Sequence, residues 1–419
     1  MKKILLLFLF VSMTFLTKAQ IQPLSRKPVM RPIEPPHLQE KFTQTWGKTV
    51  KVVKNIQGID YNVYSQKLLN AATKQGDVKA QFALGYLYYY GQSVTQNYSF
   101  AAKYLKMAAD RGLGEAQCKL GSCYANGLGV DKNNMLAFKY FQKAHLKGNI
   151  EATVHLAWCY LNGVGVEQNR CEAAILYKQA ADKGNAVAQC AMGFIYDKGD
   201  GVAIDKNKSL KYFQIAADNN DSEALYELGN KYFKGEGVVE DKYKAFSLYL
   251  KAANNGFPDA IFWVGECYNI GWGVEKNDQL AFDYFLKSAK SGNDMGQFEV
   301  GLCYYAGKGV KIDKQEAFRY FSQAALRENG YAMALLGIMY FQGDGVRQDY
   351  TLAYKFLSDA ANINAVFAYK YLGICYEFGL GTDKNIDKAI FWYEKDAKSG
   401  LHHPDVIEHL EELKKMNYE

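Results

Sequence analysis

Apolar residues recur along the chain with a spacing of 36 residues between about residues 77 and 400. In most copies an alanine, then a leucine, methionine or valine, and then a tyrosine follow one another at intervals of four, as in Ala116, Leu120 and Tyr124. This i, i+4, i+8 spacing places three side chains on one face of an α-helix. The pattern therefore predicts a first helix in every copy.

A glycine lies beside this apolar face and is taken as position 0 of each copy; alanine replaces it at residue 157. The glycines are Gly85, Gly121, Gly193, Gly229, Gly265, Gly301, Gly337 and Gly373. Because glycine is unfavourable inside a helix, its recurrence predicts close approach of another helix backbone. A Gly-x-Gly pair follows, from 127/129 to 379/381, and the first copy keeps only Gly91. These pairs predict the end of the first helix and a turn.

A second helix begins at position +12, where every copy carries a residue suited to an N-cap. These residues are Asn97, Asn133, Asn169, Asp205, Asp241, Asn277, Asp313, Asp349 and Asn385. Aromatic or leucine residues follow at +19 and +20, and most copies end with glycine at +27, which predicts a left-handed helix end. Asn220 and Asn364 are expected to do the same, whereas Glu328 departs and Gly330 is expected to replace it.

One hairpin cannot bury its own apolar face, so the copies must stack. The sequence predicts an all-α fold, an α/α superhelical solenoid of nine 36-residue helix-turn-helix repeats over 77–400. Residues 61–76, in which Ala72 and Gly76 continue the period, are expected to form an N-terminal capping helix. Residues 401–419 are expected to form a polar C-terminal capping helix, which would prevent open-ended stacking and favour a monomer.

The N-terminus has the pattern of an export signal. Lys2 and Lys3 precede an apolar run, and small residues stand before residue 20, so 1–19 is expected to be a signal peptide. A short transmembrane anchor is the alternative. Residues 20–60 are expected to form a proline-rich linker or tether. We therefore expect an exported protein, periplasmic or secreted.

Charge and hydropathy exclude two classes of partner. The formal net charge is +6, and loss of Lys2, Lys3 and Lys18 would reduce it to +3, which is too small to predict nucleic-acid binding. No stretch after residue 20 is long and apolar enough to predict an integral membrane span.

The repeated signature, Ala-x-x-x-Leu-Gly-x-x-Tyr followed by Gly-x-Gly-Val, an Asp or Asn and Ala-Ala, resembles the Sel1-like repeat family, a relative of the tetratricopeptide repeat. The resemblance implies an α/α superhelix whose first helices line a concave surface for protein partners. It also implies that exported bacterial members act as adaptors or regulators in envelope signalling, secretion or host contact. Enzymes acting on cell-wall material, proposed for cysteine-rich relatives, are the alternative.

The eight cysteines are expected to pack as small apolar side chains. Five of them share position +2, where Leu87, Ile195 and Met339 stand in three other copies: Cys123, Cys159, Cys267, Cys303 and Cys375. Some cysteine-rich relatives carry two bridged cysteines in each repeat, but alanines occupy those positions here. We therefore expect no disulfide.

No catalytic residue, cofactor or metal site is predicted. His402, His403 and His409 form the one histidine cluster, without partners at a recognisable metal-ligand spacing. The Gly-x-Gly turns end helices rather than begin them, so they do not suit a phosphate.

A partner is expected to be a protein or peptide held by the first helices. Positions −2, +1 and +5 vary most between copies and lie away from the apolar face. They hold these aromatic, histidine and glutamate side chains: Tyr86, Tyr90, His155, Trp158, Phe194, Trp263, Tyr371 and Phe378, with Glu227, Glu266 and Glu299. Exposed aromatic side chains commonly anchor protein interfaces, and the glutamates would favour a basic segment. The alternative is that some of these side chains pack between adjacent first helices.

Overall fold

The structure is a computed structural model that describes residues 69–418 apart from residues 74, 93 and 402. The expected signal peptide (1–19) and tether (20–60) lie outside the described residues, as does most of the expected capping helix 61–76. Its described part is helical at residues 69–73.

The described residues between 78 and 418 form nineteen α-helices and one short 3-10 helix, with no strand. The first helices of the nine repeats are α1 (Val78–Tyr90), α3 (Gly114–Asn126), α5 (Ile150–Asn162), α7 (Ala186–Lys198), α9 (Ser222–Lys234), α11 (Pro258–Ile270), α13 (Asp294–Ala306), α15 (Gly330–Gln342) and α17 (Tyr369–Phe378). The second helices are α2 (Tyr98–Asp110), α4 (Asn134–Leu146), α6 (Arg170–Asp182), α8 (Lys206–Asp218), α10 (Lys242–Asn254), α12 (Asp278–Lys290), α14 (Lys314–Ala325), α16 (Tyr350–Asn362) and α18 (Ile386–Ala397). The 3-10 helix Val366–Ala368 precedes α17, and α19 (Pro404–Tyr418) follows α18. The predicted fold class, helical hairpins in sequence, is confirmed.

Every second helix begins at the predicted N-cap. The Asn97 side chain, for example, accepts a hydrogen bond from the backbone N–H of Phe100 at 3.0 Å, and all nine Asn or Asp residues at +12 bond in the same way. Each such cap stabilises a helix by about 1 kcal/mol.

Left-handed residues end the helices where the sequence predicts them. Asn220 and Asn364 have φ of 61° and 60°. One expectation is wrong: Glu328 itself adopts the left-handed conformation, with φ of 62°, and Gly330 is the first residue of α15. The turn is kept because its backbone hydrogen bonds, such as Asn329 N–H to Ala324 O at 3.2 Å, do not depend on the side chain at 328.

The glycine at position 0 makes room chiefly for a ring rather than for a helix backbone. A Cβ on Gly301 would lie 2.5 Å from a ring carbon of Phe321, the residue at +20 of the same repeat. Where leucine occupies +20, as at Leu105, a Cβ on the glycine would also lie 3.0 Å from the backbone nitrogen. The predicted close approach of a helix backbone therefore occurs in the repeats that have leucine at +20. In the repeats that have an aromatic residue at +20, the ring occupies the space beside the glycine.

The tyrosine at +3 belongs to a repeated aromatic arrangement. Tyr304 stacks on Tyr320 of its own repeat, with ring centroids 5.9 Å apart and planes 16° apart. Phe282 of the preceding repeat meets the same tyrosine edge-on, at 5.4 Å and 88°. The tyrosine therefore packs between the second helix of its own repeat and the second helix of the preceding repeat.

Contacts divide the described chain into two compact units, residues 69–224 and 225–418. In the second unit, α19 buries Val406, Leu410 and Leu413 in one apolar cluster with residues of α17 and α18. His409 Nε2 lies 2.9 Å from Glu377 Oε2, and hence the last helix is held by polar as well as apolar contacts. No helix within the described stretches is long and apolar enough to cross a bilayer.

Candidate partner-binding surface

The eleven candidate residues on the first helices differ widely in exposure. Tyr86, His155, Trp263 and Glu266 are buried, with 4%, 3%, 7% and 2% of their surface exposed. Six others are partly exposed: Tyr90, Trp158, Phe194, Glu227, Glu299 and Tyr371. Phe378, at 62%, is exposed. These four buried residues pack inside the fold, and little of their surface is available to a partner.

In the unit 69–224, three aromatic candidates keep part of their surface in solvent. Phe194 meets Phe213 edge-on at 5.0 Å, which fixes the ring while leaving one side accessible. Lys198 Nζ lies 5.5 Å from the centre of the Phe194 ring. Tyr90 packs against Tyr86 at 4.4 Å. Tyr90, Trp158 and Phe194 are therefore the accessible aromatic candidates of this unit.

His155 belongs to a buried polar cluster rather than to an open surface. Lys119 Nζ on α3 lies 3.1 Å from Glu151 Oε1 on α5, and the ring of His155 stacks on Phe141 at 4.6 Å. Burial alone would raise the pKa of Glu151, but Lys119 and then His155 lower it to about 2. Cys118, Lys119, Glu151 and His155 are called the α3–α5 cluster.

The sequence analysis missed the α3–α5 cluster because its members lie on two helices and are spread over three repeat positions, −6, −3 and −2. One signal was available in the sequence. Repeat position −2 is apolar or aromatic in several copies, but it holds ionisable residues at 119 and 155 in two successive repeats. Positions in adjacent first helices can meet even when no motif joins them along the chain. Cys118, Glu151 and His155 also supply ligand types that suit a metal ion.

In the unit 225–418, Trp263 is a packing residue. Its ring stacks on Tyr249 at 5.9 Å and meets Phe233 at 5.7 Å. Tyr371 is different, because it keeps part of its surface in solvent while its hydroxyl accepts a hydrogen bond from Gln342 Nε2 at 3.1 Å. Tyr371 and Phe378 are therefore the accessible aromatic candidates of this unit.

The central glutamate of the expected acidic patch, Glu266, is buried. Burial raises the pKa of Glu266 to about 7, against the opposing effects of Asn269 and Lys308. Burial, and after it the neighbouring Glu266, raises the pKa of Glu299 well above its ordinary value. Glu266 is thus a largely enclosed carboxyl group between successive first helices, and it does not present a fixed charge to solvent.

The cysteines at +2 fill apolar space as expected. All five are buried, and burial raises the pKa of Cys123, Cys159, Cys267 and Cys375 to about 12, so these sulfurs are thiols at neutral pH. No disulfide joins the eight cysteines, all of which lie in the described part of the chain.

Comparison with known proteins gives the same repeat boundaries. The family described as Sel1 repeat matches nine times, at residues 78–113, 114–149, 150–185, 186–221, 222–257, 258–293, 294–329, 330–364 and 366–401. No curated protein matches the chain.

Two solved structures share this fold along most of their length. A protective antigen of uropathogenic Escherichia coli that displays an SLR fold is 25% identical, with a TM-score of 0.52, over 91% of this chain and 87% of that one. A Sel1 repeat protein from Oxalobacter formigenes is 26% identical, also with a TM-score of 0.52, over 76% of this chain and 93% of that one. With nine matched repeats and their helices all in place, this chain belongs to the Sel1 repeat family.

Proposed function

We propose that this protein is a non-catalytic interaction scaffold that holds a segment of a partner protein against its first helices. Sel1 repeat proteins are typically protein-interaction scaffolds, which supports the general class. The observation that carries the proposal is the set of partly exposed Tyr90, Trp158 and Phe194 at positions where the repeats differ from one another.

These aromatic residues suit an anchor role for a physical reason. Phe194 is fixed by Phe213, so little side-chain entropy is lost when a partner covers the remaining face. Lys198 beside the ring supplies a cation at the edge of the same area. The preferred partner segment therefore carries apolar side chains with an acidic residue next to them. This replaces the basic segment expected from the glutamates, because Glu266 is buried.

The proposal places the protein outside the cytoplasm and acting as a monomer. The expected export signal at 1–19 supports this location. The proposal keeps the expected tether at 20–60, repeats over 77–400 and capping helices at 61–76 and 401–419. The tether would let the repeats reach a partner at a distance from an attachment point.

The test begins with the purified full chain immobilised and exposed to an envelope extract of the producing cell. The captured protein is identified, purified and titrated by calorimetry against the wild type and the double variant Trp158→Ala/Phe194→Ala. We expect the variant to bind about 30-fold or more weakly, as for truncation of interface anchors. A matched control is Phe391→Ala, which removes a 49% exposed phenylalanine from a second helix.

A second variant separates the two units. Phe378→Ala removes the accessible ring of 225–418, and an effect in this variant alone would assign binding to that unit. Unchanged affinity in both variants, with folding verified by circular dichroism, would contradict the surface. Hydrolysis of cell-wall material by the purified protein would contradict the non-catalytic scaffold.

A further inference from the structure

The His155 imidazole has an unusual environment for a polar side chain. It is 3% exposed, and neither ring nitrogen has a hydrogen-bond partner. Glu151 Oε1 lies 3.9 Å from Nε2, beyond hydrogen-bond distance. Burying a polar group without a partner costs free energy, so such a group in a native fold calls for a role.

We propose that Cys118, Glu151 and His155 form a binding site for a divalent transition-metal ion, with zinc as the best fit. One thiol sulfur, one carboxylate oxygen and one imidazole nitrogen all lie within 4.8 Å of one another. Sulfur, nitrogen and oxygen ligands of these types are the ones that zinc takes in proteins. Calcium and magnesium, which prefer oxygen ligands, are disfavoured by the thiol.

Rigid elements position the three ligands. Glu151 and His155 are four residues apart on α5, so both side chains project from the same face of one helix. Cys118 lies on α3, the preceding first helix. Ligand atoms in a tetrahedral zinc site stand about 3.3–3.8 Å apart, so the most distant pair has to close by about 1 Å.

The charges explain how the site is stable when empty. Lys119 pairs with Glu151 Oε1, and a cysteine without a metal ion is ordinarily a protonated thiol at neutral pH. When zinc binds, the sulfur–hydrogen bond breaks, the proton passes to solvent and a sulfur–zinc bond forms. Thiolate and carboxylate together balance the two positive charges of the ion.

Lys119 then becomes the one uncompensated charge of the occupied cluster. Its ammonium group can stay on Oε1 while the other carboxylate oxygen binds the ion, because groups that hydrogen-bond to a metal ligand commonly stay in place. It nonetheless repels the ion, which moderates affinity.

The metal test uses the tag-free full chain after treatment with a chelator. Zinc alone is titrated by calorimetry, and cobalt is used as a spectroscopic substitute whose thiolate charge-transfer band reports a sulfur ligand. We expect one ion per chain and a cobalt–thiolate band. Cys118→Ala should abolish the band and weaken zinc binding by about 100-fold or more. The matched control is Cys159→Ala, since Cys159 is as buried as Cys118, at 1%, but lies outside the cluster.

A second ligand variant keeps the test valid if Cys118→Ala does not fold. His155→Phe removes both nitrogens and preserves a ring against Phe141, so it should fold at least as well as the wild type while losing zinc. Lys119→Met should raise zinc affinity about tenfold by removing the repelling charge. Failure of the wild type to bind zinc would overturn the proposal. Equal binding by the wild type, Cys118→Ala and His155→Phe would also overturn it, since the ion would then lie elsewhere.

Discussion

The interior of each repeat and the layer between successive first helices follow different packing rules. Inside a repeat, the side chain at +20 packs directly against the glycine at position 0. Gly121 makes this contact with Phe141, and Gly301 makes it with Phe321. Between first helices the contacts change along the chain. The α3–α5 cluster holds a buried ion pair, whereas α11 and α13 bring Glu266 next to Glu299.

The two kinds of contact have different roles: one specifies the fold, and the other distinguishes this chain from other chains with the same fold. Contacts inside a repeat are made by residues that the period fixes, so they specify the solenoid. Contacts between first helices are made by residues that the period leaves free, and there the chain buries charge. A substitution inside a repeat should therefore have the same effect at the equivalent position of another repeat. A substitution between first helices should have an effect that depends on its local neighbours.

The largest effect is expected from Glu151→Gln, which leaves the ammonium group of Lys119 buried without a charge partner. Both side chains are largely enclosed, with 10% of Lys119 and 20% of Glu151 exposed. Removing one partner of such a pair costs about 3–5 kcal/mol in the free energy of unfolding. The measurement is urea denaturation at neutral pH, with the exposed Glu115→Gln as the control.

The same variant has a defined pH dependence. The ordinary pKa of 4.5 for Glu151 falls to about 2 in the fold, so its stabilising effect is complete above pH 4.5 and disappears as the pH falls towards 2. The stability difference between wild type and Glu151→Gln should shrink over that interval. A difference that stays constant with pH would show that ionisation of Glu151 is not its cause.

The second effect tests transferability inside the repeat. Gly301→Val forces methyl groups into the ring of Phe321, which is fully buried, and should cost about 3 kcal/mol. Gly121→Val, at the same position against Phe141, should cost the same within about 0.5 kcal/mol. Ala306→Val on α13 introduces valine at a partly exposed site and measures the helix-propensity contribution alone. Costs that differ widely between the two glycines would show that the interior layer is not uniform.

The sequence predicted the interior of each repeat well, because the same contacts recur there from one repeat to the next. A contact repeated nine times selects the same residue type nine times, so the N-caps, the turns and the tyrosine at +3 could be read without a structure. Two details were missed. The ring rather than the backbone occupies the space beside Gly301, and Glu328 accepts a left-handed φ because the backbone hydrogen bonds of the turn are kept.

The candidate surface was predicted less well. Variation between repeats was interpreted as exposure, but it arises equally where different side chains fill the gap between first helices. Trp263 illustrates this, since it varies from its counterparts and is nevertheless 7% exposed. Helical periodicity gives the face of a residue, and the distance to the adjacent helix, which decides burial, is a property of the stacked structure.

A smaller effect of opposite sign is expected from Glu266→Gln. With a pKa of about 7 in the fold and an ordinary value of 4.5, Glu266 binds its proton more tightly in the folded state. The wild type should therefore lose stability as the pH rises from 4.5 to 7, and the amide variant should not. We expect Glu266→Gln to be about 1–3 kcal/mol more stable than the wild type at pH 8 and about equal to it at pH 4.5.

The exposed Glu275→Gln serves as the control for this pH series. Denaturation midpoints at several pH values decide the matter. Destabilisation by Glu266→Gln at pH 8 would show that the carboxylate form is the preferred one and that the layer around α11 compensates charge as the α3–α5 cluster does.

The smallest effect concerns the stacked tyrosines and tests the comparison directly. A double-mutant cycle with Tyr304→Leu and Tyr320→Leu removes a pair whose centroids are 5.9 Å apart, and the coupling should be about 0.5–1.5 kcal/mol. The same cycle at Tyr124 and Tyr140, which stack at 5.7 Å, should give an equal coupling, because both pairs occupy +3 and +19. Urea denaturation of the wild type and the six variants measures both couplings. Two couplings that differ by more than about 0.5 kcal/mol would mean that the interior of each repeat is as individual as the layer between first helices.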